Sequence, residues 1–155
     1  MDSRKAPHLE IKMNYDEFEK EMHESYPKIF AHPFGGFCIG EGWYQIIRSL
    51  CGNIQSHINH INCTREKLLA KNTYNHPIPE EIEQVTVDQI KEKFGGLRFY
   101  YTGGDSVIDG MVTMAESWAE HTCETCGSPG VGRSVRGWLT TLCDAHYNER
   151  LEKLK

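Results

Sequence analysis

The sequence predicts an α+β fold: a mainly helical N-terminal half, a β-hairpin, one further helix and a small cysteine-anchored module at the C-terminus. Three observations predict it. Apolar residues recur at three- and four-residue steps over 43–61 and again over 108–118, the pattern of amphipathic helices. Gly95-Gly96 interrupts a run of β-favouring residues in VTVDQIKEKFGGLRFYYTGG, which reads as a two-residue hairpin turn. CETCGSPG and CDAH then place two pairs of soft ligands near the end of the chain.

The elements follow in order. Residues 1–13 read as a flexible leader. Asn14 with Glu17 forms a capping-box pattern, Tyr15, Phe18, Met22 and Tyr26 make one helical stripe, and Pro27 ends it. HPFGGFCIGEGW (32–43) is a glycine-rich apolar loop, held by packing of Phe34, Phe37 and Trp43. It is no phosphate loop: it lacks the G-K-[ST] ending, and Glu41 would repel an anion. The long helix carries Trp43, Ile46, Ile47, Leu50, Ile54, Ile58 and Ile61, with a separate short helix expected over about 64–71. NTYNHPIPEE (72–81) is the best internal boundary. Thr86 and Gln89 also permit a short helix up to Phe94, but the hairpin is preferred. The next helix, over 107–120, turns Ile108, Met111, Val112, Ala115 and Trp118 to one side, and Asp105 and Asp109 favour its start.

At 155 residues, 39% hydrophobic and 25% charged, the chain suits one folded domain with a metal-held appendage. The expected division is a leader (1–13), an α+β core (14–121) and a packed module (122–155). A net charge of −5 gives no global attraction to nucleic acid or anionic membrane. No run has signal-peptide or membrane-span character, so a cytoplasmic location is expected. There the thiols stay reduced, and Cys38, Cys51 and Cys63 read as core or surface residues.

Cys123 and Cys126 form a C-x-x-C pair followed by Gly127, and Cys143 and His146 form a C-x-x-H pair after a sixteen-residue spacer. Such a set suits tetrahedral zinc. The spacer reads as a hairpin broken at Gly137, and the segment after Cys143 as a helix with Tyr147, Leu151 and Leu154 on one stripe. Knuckle, hairpin and helix in this order describe a treble-clef-like zinc module. His121 is a reserve ligand with poorer spacing. Four protein ligands close the coordination sphere, whereas catalytic zinc keeps a position open, so a structural Zn2+ is expected. No zinc-protease or deaminase signature accompanies it, and Asn148 with His121 does not complete a nuclease set. About 34 residues build too little core alone, so folding of the module should depend on the ion.

With Gly95-Gly96 as the turn, Phe94 pairs with Leu97, Lys93 with Arg98, and Lys91 with Tyr100. Ile90, Phe94, Leu97, Phe99 and Tyr101 then face the core. Lys91, Lys93, Arg98 and Tyr100 form a basic, aromatic face that suits a small anionic ligand. Against that stands a plain solvated face. His57 and His60 lie three residues apart on the long helix, as polar-face residues or as ligands with Cys38 or Cys63.

GEGWYQIIRSLCGNI (40–54), IKEKFGGLRFYY (90–101), and CETCGSPG with GWLTTLCDAH (123–146) together resemble a group of short zinc-binding proteins of bacteriophages, prophages and bacterial genomes. The resemblance spans roughly two thirds of the chain, from Asn14 onward. It implies a zinc-binding tail and a phage or mobile-element setting, and it transfers no catalytic residue.

The expected function is binding rather than catalysis: a phage-encoded accessory protein engaging a host protein or sequestering a small anion such as a signalling nucleotide, with counter-defence as one role. Nucleic-acid binding through Arg133 and Arg136 is an alternative. Five Lys or Arg against four Asp or Glu from Thr122 onward is a weak basic footprint for it. A metal-dependent hydrolase using His57 and His60 is a further alternative and needs a second metal.

Overall fold

The computed structural model describes residues 14–71 and 77–154; the leader expected over 1–13 and part of the 72–81 boundary lie outside the described residues. The chain is α+β, with four helices and two small sheets among the described residues.

Helix α1 (Tyr15–Ser25) starts where local chemistry dictates. The Asn14 side chain accepts from the Glu17 N–H at 2.9 Å, and the Glu17 carboxylate accepts from the Asn14 N–H at 3.2 Å. Phe18 and Met22 are fully buried, and the Phe18 ring stacks on Tyr44 with centroids 3.9 Å apart. Strand β1 (Phe37–Cys38) follows inside the stretch expected to be only a loop. It pairs in parallel with the next strand, a long-range contact that no local pattern announces.

A 3₁₀ turn over Glu41–Trp43 leads into α2 (Tyr44–Lys71), 28 residues long. This corrects the expected break near residue 64: neither Gly nor Pro lies between 53 and 71, so nothing interrupts the hydrogen-bond ladder. Polar side chains on its later turns tie down the returning chain. Asn62 exchanges two hydrogen bonds with the Ile82 backbone, at 2.8 and 2.9 Å, and Arg65 donates to Pro79 O.

Strands β2 (Thr86–Lys93) and β3 (Gly96–Thr102) form the expected antiparallel hairpin, giving the sheet order β1-β2-β3. Its register is corrected by two residues. Lys93 pairs with Gly96, Lys91 with Arg98 and Ile90 with Phe99, so the turn is Phe94-Gly95. A slip of two leaves each side chain on its original face. Ile90, Leu97 and Phe99 are therefore buried as expected, while Phe94 sits on the turn, 73% exposed.

Helix α3 (Ser106–Ala119) begins at Asp105, which accepts from the Ile108 N–H at 3.0 Å. Its core residues are Ile108, Val112, Ala115 and Ala119. Trp118, expected on that face, is 52% exposed. Across the α3–β3 contact, the Glu116 carboxylate accepts from the Phe99 N–H at 3.0 Å, covering part of the sheet's outer edge. Strands β4 (Val131–Val135) and β5 (Trp138–Leu142) pair around Arg136-Gly137, both with positive φ.

Helix α4 (Asp144–Glu152) closes the described chain and buries no residue. Leu151 and Leu154, on the stripe the sequence places there, are exposed. Among the described residues no helix is long and apolar enough to cross a membrane.

Candidate metal centre

The first ligand pair lies on a tight knuckle. Cys123 N–H donates to Ser128 O at 2.7 Å, Gly127 N–H returns to Cys123 O at 2.8 Å, and Gly127 has φ +76°. Cys143 is the residue that caps α4 and His146 lies in its first turn, so both second-pair ligands start the helix. The Cys143 side chain makes no capping hydrogen bond; its sulfur sits 3.2 Å from His146 Nδ1. A thiolate there gains from the helix dipole.

The four ligand atoms of Cys123, Cys126, Cys143 and His146 all lie within 4.8 Å of one another. Tetrahedral zinc places sulfurs about 3.8 Å apart and sulfur about 3.5 Å from nitrogen. Cys126 Sγ and Cys143 Sγ are 3.9 Å apart, and Cys123 Sγ is 3.6 Å from His146 Nδ1. The set fits such an ion and can hold it. His121, the reserve ligand, is outside the cluster and exposed. The cluster is the only convergence of three or more His, Cys, Asp or Glu ligand atoms among the described residues. Burial pushes the Cys123 thiol up. Burial also opposes ionisation of Cys126, but hydrogen bonds from Ser128 and contact with the other two thiols outweigh it and bring Cys126 down to about 7.

Two glycine motifs dock this module on the core. In GEGW, Gly42 N–H donates to Glu124 O and Trp43 Nε1 donates to Thr122 O, both at 2.8 Å. A Cβ on Gly42 would fall on the Cys123 carbonyl oxygen and 2.5 Å from Gly127 N; one on Gly40 would lie 2.7 Å from Glu124 Cγ. In KFGG, Gly95 lies against the Thr140 backbone and its carbonyl accepts from Thr141 Oγ1 at 2.6 Å in a buried contact. The three stretches singled out in the sequence therefore meet at one place. Phe34, Phe37 and Trp43 are buried as the loop's packing predicts. The backbone crossing that requires its glycines had no local signal.

Glu124, beside the knuckle, is pushed up by burial and by the nearby Glu92 carboxylate, against the pull of Arg150. Between the Phe94-Gly95 turn, the end of α3 and the β4–β5 hairpin lies a cleft of about 570 Å³. Arg98, Glu120, His121, Ser134 and Leu139 line it with Phe94 at its edge. Sequence reasoning singled out Arg98 but not the cleft.

Lys91, Lys93, Arg98 and Tyr100 share one face of the sheet. Lys91 lies across from Arg98, with its ammonium 5.3 Å from the Tyr100 ring, and Lys93 is equally far from the Phe94 ring. Among the described residues none of these three cations has a carboxylate within 4.0 Å. His57 and His60 do not converge with Cys38 or Cys63. His57 pairs with Asp105 at 3.0 Å, and His60 is exposed. Cys51 is buried, while Cys38 and Cys63 are exposed. No protein-family model, curated protein or solved structure matches this chain.

Proposed function

We propose that this chain is a non-enzymatic, zinc-organised binding protein: a phage-encoded accessory of the host cytoplasm that engages a host protein or captures a small anionic ligand. The observation that carries the reading is the four-ligand cluster, whose donors come from a knuckle and a helix start that the core itself holds in place. Zinc bound there acts as a cross-link, since four protein ligands leave no position for a reacting water. The order knuckle, β4–β5 hairpin and α4 supports a treble-clef arrangement. The basic face of Lys91, Lys93, Arg98 and Tyr100 is the proposed ligand-facing surface, and counter-defence is the role that a phage setting suggests.

Nucleic-acid binding through the module is less well supported. Arg133 is committed to Asp144, to Leu142 O and to the Tyr147 ring, and Arg136 donates to Leu154 O. A hydrolase built on His57 has its histidine held by the acid that caps α3.

Native mass spectrometry with elemental analysis tests the proposal. One zinc per chain is expected, lost in Cys126→Ser and Cys143→Ser and kept in His121→Ala. A metal-free wild-type chain that still folds fully, or a zinc released by His121→Ala, would overturn it.

A further inference from the structure

We infer that the cleft between the Phe94-Gly95 turn, the end of α3 and the β4–β5 hairpin binds a nucleotide, with the Phe94 ring stacking on the base and the Arg98 guanidinium holding the phosphate. This deepens the small-anion reading above, on which it rests.

The first argument is Phe94 itself. It has φ +55° and precedes Gly95 at φ +80°, which makes a hairpin turn that asparagine, aspartate or glycine suits best. A bulky residue in this region is strained. The strain gains no burial, because the ring is among the most exposed apolar groups of the described chain. Strained positions of this kind concentrate at ligand sites. Here the strained residue presents a flat ring at the edge of an open cleft.

The second argument is charge. Arg98 Nη1 donates to Leu97 O at 2.7 Å and rests over Gly96, where a Cβ would lie 3.0 Å from it. None of its donors lies within 4.0 Å of a carboxylate among the described residues. A guanidinium fork matches phosphate geometry, and Lys91 lies directly across the ladder from Arg98.

The third is the rest of the cleft. At about 570 Å³ it lies in the range of small-molecule sites. Leu139 adds apolar surface, Ser134 offers a hydroxyl, and the Glu120 carboxylate can accept from a base amino group. An inorganic anion would use neither the ring nor most of the cleft's volume. A base joined to a phosphate uses both.

The test is calorimetric titration of the zinc-loaded full chain with the four ribonucleoside monophosphates, the matching nucleosides and inorganic phosphate. At least one nucleotide should bind, with its nucleoside and phosphate alone each weaker by about tenfold or more. Arg98→Ala should weaken binding by a similar factor. Phe94→Asn should do the same while raising the thermal midpoint, since asparagine relieves the turn.

Absence of nucleotide binding by folded, zinc-replete protein would overturn this inference and leave the binder reading standing. Phosphate binding as tightly as nucleotide would overturn it too, as would unchanged affinity in Phe94→Asn or a host protein that covers the cleft without nucleotide competition. Hydrolysis of the bound nucleotide would keep the site and sink the non-enzymatic reading instead.

Discussion

Replacing Gly42 with alanine inserts one methyl group where two stretches of backbone cross. In an unconstrained turn this change stabilises by about 0.4–1 kcal/mol, because alanine narrows the unfolded ensemble. Here the new Cβ would meet the Cys123 carbonyl oxygen and would stand 2.5 Å from Gly127 N. Both are backbone atoms of the knuckle and cannot rotate aside. Overpacking of this kind costs about 1–3 kcal/mol. Relieving it means separating the chains, which breaks the 2.8 Å bond from Gly42 to Glu124 and loosens the buried one from Trp43 to Thr122. Leaving such a buried donor unpaired costs about 1–3 kcal/mol more. The clash outweighs the entropic gain, and a net loss of about 1–5 kcal/mol is expected. Urea unfolding measures it, and chelator competition should show faster metal loss as the knuckle is displaced. Gly132→Ala is the control, since nothing lies within 4 Å of its added methyl. A Gly42→Ala midpoint equal to or above wild type would refute the docking argument.

Gly110 lies mid-helix in α3 with open space around an added Cβ, so Gly110→Ala should stabilise by about 0.5–1 kcal/mol, read as a higher thermal midpoint. Chelation should speed amide hydrogen exchange across β4, β5 and α4 while α2 stays protected, because α4 buries no side chain to hold it without an ion. Hydrogen bonding from Arg48 holds the Glu21 carboxyl below its ordinary 4.5. The pair's contribution is therefore full at neutral pH and is lost as pH falls through that lowered value. It is about 1 kcal/mol or less, as the pair is partly exposed, and Glu21→Gln should flatten that part of the acid unfolding curve.

Features encoded within a few residues were legible. The Asn14–Glu17 box, the buried stripe of α2 and the C-x-x-C and C-x-x-H pairs each depend on near neighbours, and each stands where the pattern puts it. The hairpin was half legible. FGG offers two adjacent turns, and the one adopted sets Gly95 against Thr140, 45 residues away in the chain. Periodicity alone misled at Trp118, since an apolar stripe needs an opposing layer before it is buried. The parallel strand at Phe37 and the cleft beside Arg98 are products of tertiary assembly and left no local trace.

The Glu116 side chain seated on β3 has a consequence for how this molecule meets its own copies. The outer margin of a sheet invites a foreign strand to zip alongside it, the first step toward fibres. On this margin the Phe99 amide is already claimed by a carboxylate from the following helix. A newcomer would have to displace that charged group before the ladder could grow past Phe99, so a single glutamate obstructs extension of the small sheet from that side.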